Sequence, residues 1–464
     1  MRNGTILLCG LSCVAAAASN PQLDATQRPF LTFTVIAVDA KNQPVTDLRA
    51  GNFRISDNGV PLAPRCVRFQ EPGSRPLSTL VLIDLLNANL SERGLSANDI
   101  AVSLRKLEPA GHVYLYLLTK EAKLYPVHGL PADASASAGD DSWTAGIKSL
   151  LDKALRAVDR IRPEDFQVDA DLRTQATLAA LSNLIPQFGA LPGRKALVWL
   201  SHGVPLQAYS VNRGMLTDYT PTVRRLAAEM NRAQIVAYPV DQAARNSSVV
   251  RYSPAADGME SRDTLQEIAS LTAGVWFPGN LGGTAMLQAA ADTRAMYQVR
   301  YVPPTGSWDG KFHKLRVTSV RTGVQVRAIA GYFASVEPAT PEGRFALAAL
   351  GPYDIPDVGV TASLSPSQKV PGWTHFQIHV DTRDLEAGAS QTSGEFRVTY
   401  VEYVTAWNSS VPSSTPVKFD FKAGDDIAVG LDRPLDPAAK KIRIVVQDAV
   451  SGAAGSVTIP VSGR

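Results

Sequence analysis

A doubly wound, mostly parallel α/β domain of six strands, with all-β modules on both sides, is the fold class that this sequence predicts. Three observations carry it. Short runs that are apolar on both faces, STLVLID (78–84), GHVYLYLLT (111–119), KALVWL (195–200), QIVAYPV (234–240) and GVWF (274–277), read as buried strands, with KLYPVH (123–128) beside them as an edge strand. Helical spacing recurs between them, at Ile100, Leu104 and Leu107, then at Leu178, Leu181, Ile185 and Phe188, then at Val223, Leu226 and Met230. Outside this stretch, alternating segments separated by Gly, Pro and Ser turns read as antiparallel strands.

The elements follow in chain order. Residues 6–18 (ILLCGLSCVAAAA), preceded by Arg2, are apolar and small throughout, too short to span a bilayer as a helix, which needs about 20 residues. They match a secretory signal cleaved after Ala18, which predicts an exported chain. A lipid-modified variant through Cys13 is the alternative. Two of the three cysteines lie in this segment, so Cys66 alone would remain and no internal disulfide could form.

Residues 28–75 form an N-terminal β module, with FLTFTVIAVDA (30–40) and a hairpin turning at Asn58-Gly59. The α/β domain covers 76–296. Pro192-Gly193 ends one of its helices, and Asp263 with Gln266 resembles a capping box ahead of another. Residues 297–335 return to strands and are expected to pair with the N-terminal module, because isolated hairpins cannot bury a face unaided. A Pro- and Ala-rich linker (334–346) leads to a C-terminal β-sandwich over 345–464, where seven or so short strands recur.

The chain of 464 residues is 45% hydrophobic and 19% charged, as in globular proteins, with Lys+Arg 46 against Asp+Glu 43 and a net charge of +3. It holds no run of five like charges, which argues against a nucleic-acid surface. No G-x-G-x-x-G follows the first buried strand and no Walker-type lysine loop occurs, which disfavours dinucleotide and nucleotide-phosphate sites. The six histidines contain no H-E-x-x-H.

The segments STLVLIDLLN, PGRKALVWLSHG, IVAYPVD and KLRVTSVRTGVQVRAIAGYF resemble those of the VWFA-related domain proteins exported by bacteria. That family pairs a divergent von Willebrand factor type A domain with flanking β-structure, so the resemblance implies a von Willebrand A-like, Rossmann-like centre. It also implies a place for a divalent cation at the C-terminal edge of the sheet, held in relatives by D-x-S-x-S and by oxygens of two later loops. Here Asp84 stands where the first Asp belongs, but Leu86 and Ala88 replace both serines, and His202 takes a carboxylate's place after Ser201.

Asp84, Asn87 and Ser201, with Thr174 as a further candidate, therefore form a degenerate metal set. Mg²⁺ gives up water reluctantly, so such a set predicts no cofactor, or at most a weakly bound Mg²⁺ or Mn²⁺. Ser201 and His202 are adjacent in one loop with no G-x-S-x-G elbow, which argues against a nucleophile and base pair. Arg245, Arg251 and Tyr252 in the polar loop 242–262, together with His202, are the candidate partner-binding residues, since Arg and Tyr are favoured anchors. The expected function is thus a non-catalytic, extracytoplasmic protein–protein or cell-surface interaction, at the periplasm, surface or beyond, with an unidentified protein partner. A metal-dependent adhesion module and a secreted hydrolase are the two alternatives.

Overall fold

The computed structural model of the chain describes residues 31–64, 66–69, 77–87, 97–107, 111–130, 146–149, 151, 153, 170–191, 193–210, 214–241, 255–279, 281–304, 308–334, 340–385, 393–404, 410, 413–420 and 426–461. The signal assigned to residues 1–18 lies outside them. Among the described residues no helix is long and apolar enough to cross a membrane.

The expected fold class is corrected by the sheets themselves. Among the described residues the chain is mostly β, with strands distributed over six separate small sheets and no six-stranded, mostly parallel sheet. The central sheet has five strands, in the order Ile235–Asp241, Arg194–Ser201, Leu77–Asp84, His112–Leu118, Leu124–His128. Its first four strands are parallel neighbours, and the last is antiparallel. The sixth expected strand, GVWF, makes a single bridge from Phe277 to Val240. Its run is short and Gly274 opens it, where an added Cβ would lie 1.7 Å from the Ala237 carbonyl oxygen.

Alternate residues of the central strands feed two cores, as the strand period requires. Val81 and Ile83 face Ile100, Leu104 and Met286, from the helices Ala97–Leu107 and Gly282–Asp292. Leu80 and Leu82 share the other core with Leu181, Phe188 and Leu226, from the helices Ala170–Gly189 and Thr220–Arg232.

Antiparallel structure accounts for the rest. Leu31–Asp39 pairs with Met296–Tyr301 and with Val324–Ala328, joining the two ends of the chain that flank the central sheet. A facing sheet joins Phe53–Asp57 to Val60–Leu62 and Phe312–Ser319, with Gly331–Phe333 at its other edge. Asn58 and Gly59 take positive φ at the hairpin turn, as two-residue hairpins require. Phe33, Val35, Phe53, Ile55, Tyr297 and Tyr301 form the shared core. Asp57 is buried at one end of it, where it accepts the hydroxyls of Tyr301 (3.0 Å) and Tyr332 (2.8 Å) and faces His313 Nδ1 at 3.0 Å.

The stretch expected to be a linker instead contains the helix Pro341–Leu350. Thr340 caps it by accepting the Gly343 amide, and Pro opens its first turn. Beyond it, a three-stranded sheet (Val360–Pro366, Thr374–Asp381, Asp426–Arg433) and a four-stranded sheet (Ser413–Asp420, Ser393–Tyr403, Lys441–Asp448, Ala454–Pro460) enclose one core. Phe376 and Tyr400 meet across it edge to face, with centroids 5.2 Å apart.

Candidate functional site

Three parallel strands end side by side in Asp84, Ser201 and Asp241, so their side chains meet at one rim of the central sheet. Loops leaving such strand ends converge there, which is why this edge is where the sequence candidates gather. Asp84 is fully buried and receives four hydrogen bonds. Oδ1 accepts the amides of Leu86 and Asn87, each at 3.1 Å, so the chain turns sharply after the strand. Oδ2 accepts Asn87 Nδ2 at 2.8 Å and Ser201 Oγ at 2.7 Å. Ser201 Oγ in turn accepts the Gly203 amide at 2.9 Å.

Thr177, which sequence reasoning did not select, completes the network. Its hydroxyl donates to the Arg173 carbonyl and accepts Asn87 Nδ2 at 2.8 Å. Two acceptors thus orient the Asn87 amide with its NH₂ toward Asp84. Thr174 lies one helical turn away, buried, and spends its hydroxyl on the Ala170 carbonyl. It does not join the set. Helical periodicity marks both threonines alike, and the sequence carries no signal that separates them.

Burial pushes the Asp84 carboxyl above its ordinary range, opposed by the hydrogen bonds from Asn87 and Ser201 and more weakly by the charge of His202. A divalent cation needs several oxygens free to face it. Here both carboxylate oxygens are taken by donors, Asn87 presents its nitrogen, and Ser201 gives its proton to Asp84. Within the expected metal set, Asn87 and Ser201 thus turn hydrogen-bond donors toward the Asp84 carboxylate, and Thr174 stands apart from them.

The second half of the rim is ionic. Arg262 Nε lies 2.8 Å from Asp241 Oδ2, and His202 Nδ1 lies 3.8 Å from Asp241 Oδ1. Asp241 is buried while Arg262 is half exposed. Ser201 therefore bonds Asp84 and Gly203, whereas His202 turns to Asp241, so the two adjacent residues have different partners. Arg245, Arg251 and Tyr252 lie outside the described residues.

Beyond Ser201 the chain forms a two-stranded hairpin, Gln207–Ser210 with Met215–Asp218, that packs on the helix Ala170–Gly189. Ala208 is buried and anchors it. Tyr209 pairs with Leu216 on the outward face, and these two and Met215 are 56%, 57% and 54% exposed. The sequence signal was present in the alternation around Arg213-Gly214, but polar residues on both arms masked it.

No protein-family model matches the chain, and no curated protein matches it. Among solved structures it is similar to the crystal structure of a pilus adhesin, SpaC, from Lactobacillus rhamnosus GG, at 8% identity and a TM-score of 0.29. The match covers 88% of this chain and 57% of the adhesin, so it spans little more than half of that protein. A likeness at this level carries no argument, and none of these comparisons bears on the motif resemblance.

Proposed function

We propose that the chain is a non-catalytic interaction protein of the cell envelope or exterior, which contacts a protein partner through the rim hairpin. The observation that carries this reading is the outward cross-strand pair of Tyr209 and Leu216, each more than half exposed beyond the Asp84–Ser201 network, with the exposed Met215 next along the strand on its other face. Large aromatic and aliphatic side chains are favoured at interface centres, and leaving this pair together in water has no folding benefit. His202 and Arg262 border the same rim and would supply polar contacts around it. Export follows from the leader-like first 18 residues and is part of the proposal.

The rim chemistry agrees with a binding role. A nucleophile needs a base within hydrogen-bond reach, and Ser201 spends its proton on a buried carboxylate while His202 faces Asp241. The test is quantitative capture from the envelope fraction of the native source, comparing the full chain with Tyr209→Ser/Leu216→Ser. The reading expects a defined protein whose retention falls at least about ten-fold in the variant, the size of a hot-spot loss. Equal retention by both proteins, or turnover of an ester or peptide panel that Ser201→Ala abolishes, would overturn it.

A further inference from the structure

The strand Met215–Asp218 of the rim hairpin has a neighbour on one side only, because Gln207–Ser210 is its sole partner in a sheet of two. Which backbone groups this leaves over follows from the ladder. Just past the pair Asp218–Gln207, the Tyr219 amide donates to the Leu206 carbonyl at 2.7 Å. Antiparallel pairs alternate between those that exchange hydrogen bonds and those that do not. Thr217–Ala208 and Met215–Ser210 are therefore bonded pairs, and Leu216–Tyr209 is not. The amide and carbonyl of Leu216 point away from the hairpin, and among the described residues nothing bonds to them.

Such an edge invites a further strand, and folds usually blunt it with Pro, Lys or a bulge. This molecule does so at three other sheet edges. Val60–Leu62 carries Pro61, Leu124–His128 carries Pro126, and Ser413–Asp420 carries Pro416 and Lys418. Met215–Asp218 has neither residue, its register runs without a shift, and Met215 and Leu216 stand in water.

We propose that a second copy of this chain pairs here, Met215–Asp218 against the same strand, antiparallel about a two-fold axis at Leu216. The strand is self-complementary in that register. Leu216 meets Leu216 of the second copy, Met215 meets Thr217, and Gly214 meets Asp218, so no like charges oppose each other. Each Leu216 amide donates to the other Leu216 carbonyl. Residues directly opposite share a face, so the Tyr209–Leu216 row of one copy runs straight into that of the other. A slip by one residue would set Leu216 opposite Gly214 or Asp218 and break the row. So short a strand buries little surface, which makes the dimer weak and dependent on concentration. The pairing uses backbone at the edge and leaves the apolar row open to the protein partner proposed above, so either idea can fail alone.

The experiment is sedimentation equilibrium of the full chain from micromolar to near-millimolar concentration. The wild type is expected to move from monomer toward twice the monomer mass. Leu216→Pro removes the outward amide and spares the hairpin ladder. It should raise the dissociation constant at least about ten-fold, as the loss of two hydrogen bonds requires. Leu216→Cys should cross-link into a dimer on oxidation, because the two copies of that residue lie opposite each other at about 5.5 Å between Cα atoms. Asp218→Cys, whose counterpart is displaced along the strand, should not. A wild type that stays monomeric, a dimer unchanged in folded Leu216→Pro, or cross-linking no greater in Leu216→Cys than in Asp218→Cys overturns the proposal. If Leu216→Pro fails to fold, as thermal unfolding would show, the two cysteine variants decide alone.

Discussion

Ser201 donates its hydroxyl to Asp84 across two neighbouring parallel strands, with Oγ and Oδ2 2.7 Å apart and both residues fully buried. The bond ties the ends of the two central strands and gives the buried carboxylate one of its four donors. Ser201→Ala removes that donor and leaves the Gly203 amide without its acceptor. The expected cost is about 1–3 kcal/mol of unfolding free energy, read by urea denaturation. A variant as stable as the wild type would show that the bond contributes nothing.

Asp84 also makes a prediction about pH. Burial raises its carboxyl above the ordinary value of 3.8 in the folded chain. A raised folded value means that the group's contribution to stability is fully present below the unfolded value and is lost as pH rises through the folded one. Asp84→Asn carries no such titration. The stability of the Asn variant relative to the wild type should therefore improve as pH rises above the ordinary carboxyl value and level off once the raised folded value is passed. Denaturant unfolding of both proteins at stepped pH checks this, and a constant difference, or one that moves toward the wild type, contradicts it.

The rim hairpin should separate stability from binding. Because Tyr209 and Leu216 are more than half exposed, replacing each by Ser should change unfolding free energy by no more than about 0.5 kcal/mol. Partner retention should fall all the same. A large drop in melting temperature would mean that these side chains serve the fold and not a partner.

Arg300 joins the antiparallel module to the C-terminal sandwich. Its guanidinium donates to the Asp357 carbonyl at 3.0 Å and to the Asp384 carbonyl at 2.9 Å, beside the Asp384 carboxylate at 3.5 Å. Lysine has a single donor centre and cannot reproduce this fork. Both Arg300→Ala and Arg300→Lys should speed proteolytic separation of the C-terminal sandwich from the rest, with Ala costing about 1–3 kcal/mol. Unchanged proteolysis in both variants would show that other contacts hold the two parts together.

How much of this was legible in the residues varies by element. The runs at 78–84, 195–200 and 234–240 are apolar on both faces, and each coincides with a central strand. Asn58-Gly59 marks its hairpin because few other pairs accept two positive φ values. The strands near 30–62 and those of 297–333 do pair in the structure. The fold class misled because the conspicuous apolar runs belong to a minority layer. The strands around it are spread over several small sheets on both sides of it in the sequence, yet together they make the chain mostly β. GVWF looked like a strand by composition, but four residues allow little more than the one bridge Phe277 makes.

The helix at Pro341–Leu350 carried a start signal in Thr340-Pro341, which the Pro- and Ala-rich composition hid. At the site, strand ends brought Asp84 and Ser201 together as their positions implied. The direction of their hydrogen bonds depends on Asn87 and Thr177 and cannot be read from spacing.

The rim network satisfies its own hydrogen bonds, and we propose that it takes up no cation. This is tested most directly by thermal unfolding of the wild type, Asp84→Ala and Ser201→Ala after chelation and again in millimolar Mg²⁺ or Mn²⁺. The account predicts a wild-type melting temperature unmoved by either cation, with both variants lowered equally in its presence and absence. A cation-dependent rise in the wild type that Asp84→Ala abolishes, as linkage requires of a bound metal, would contradict it.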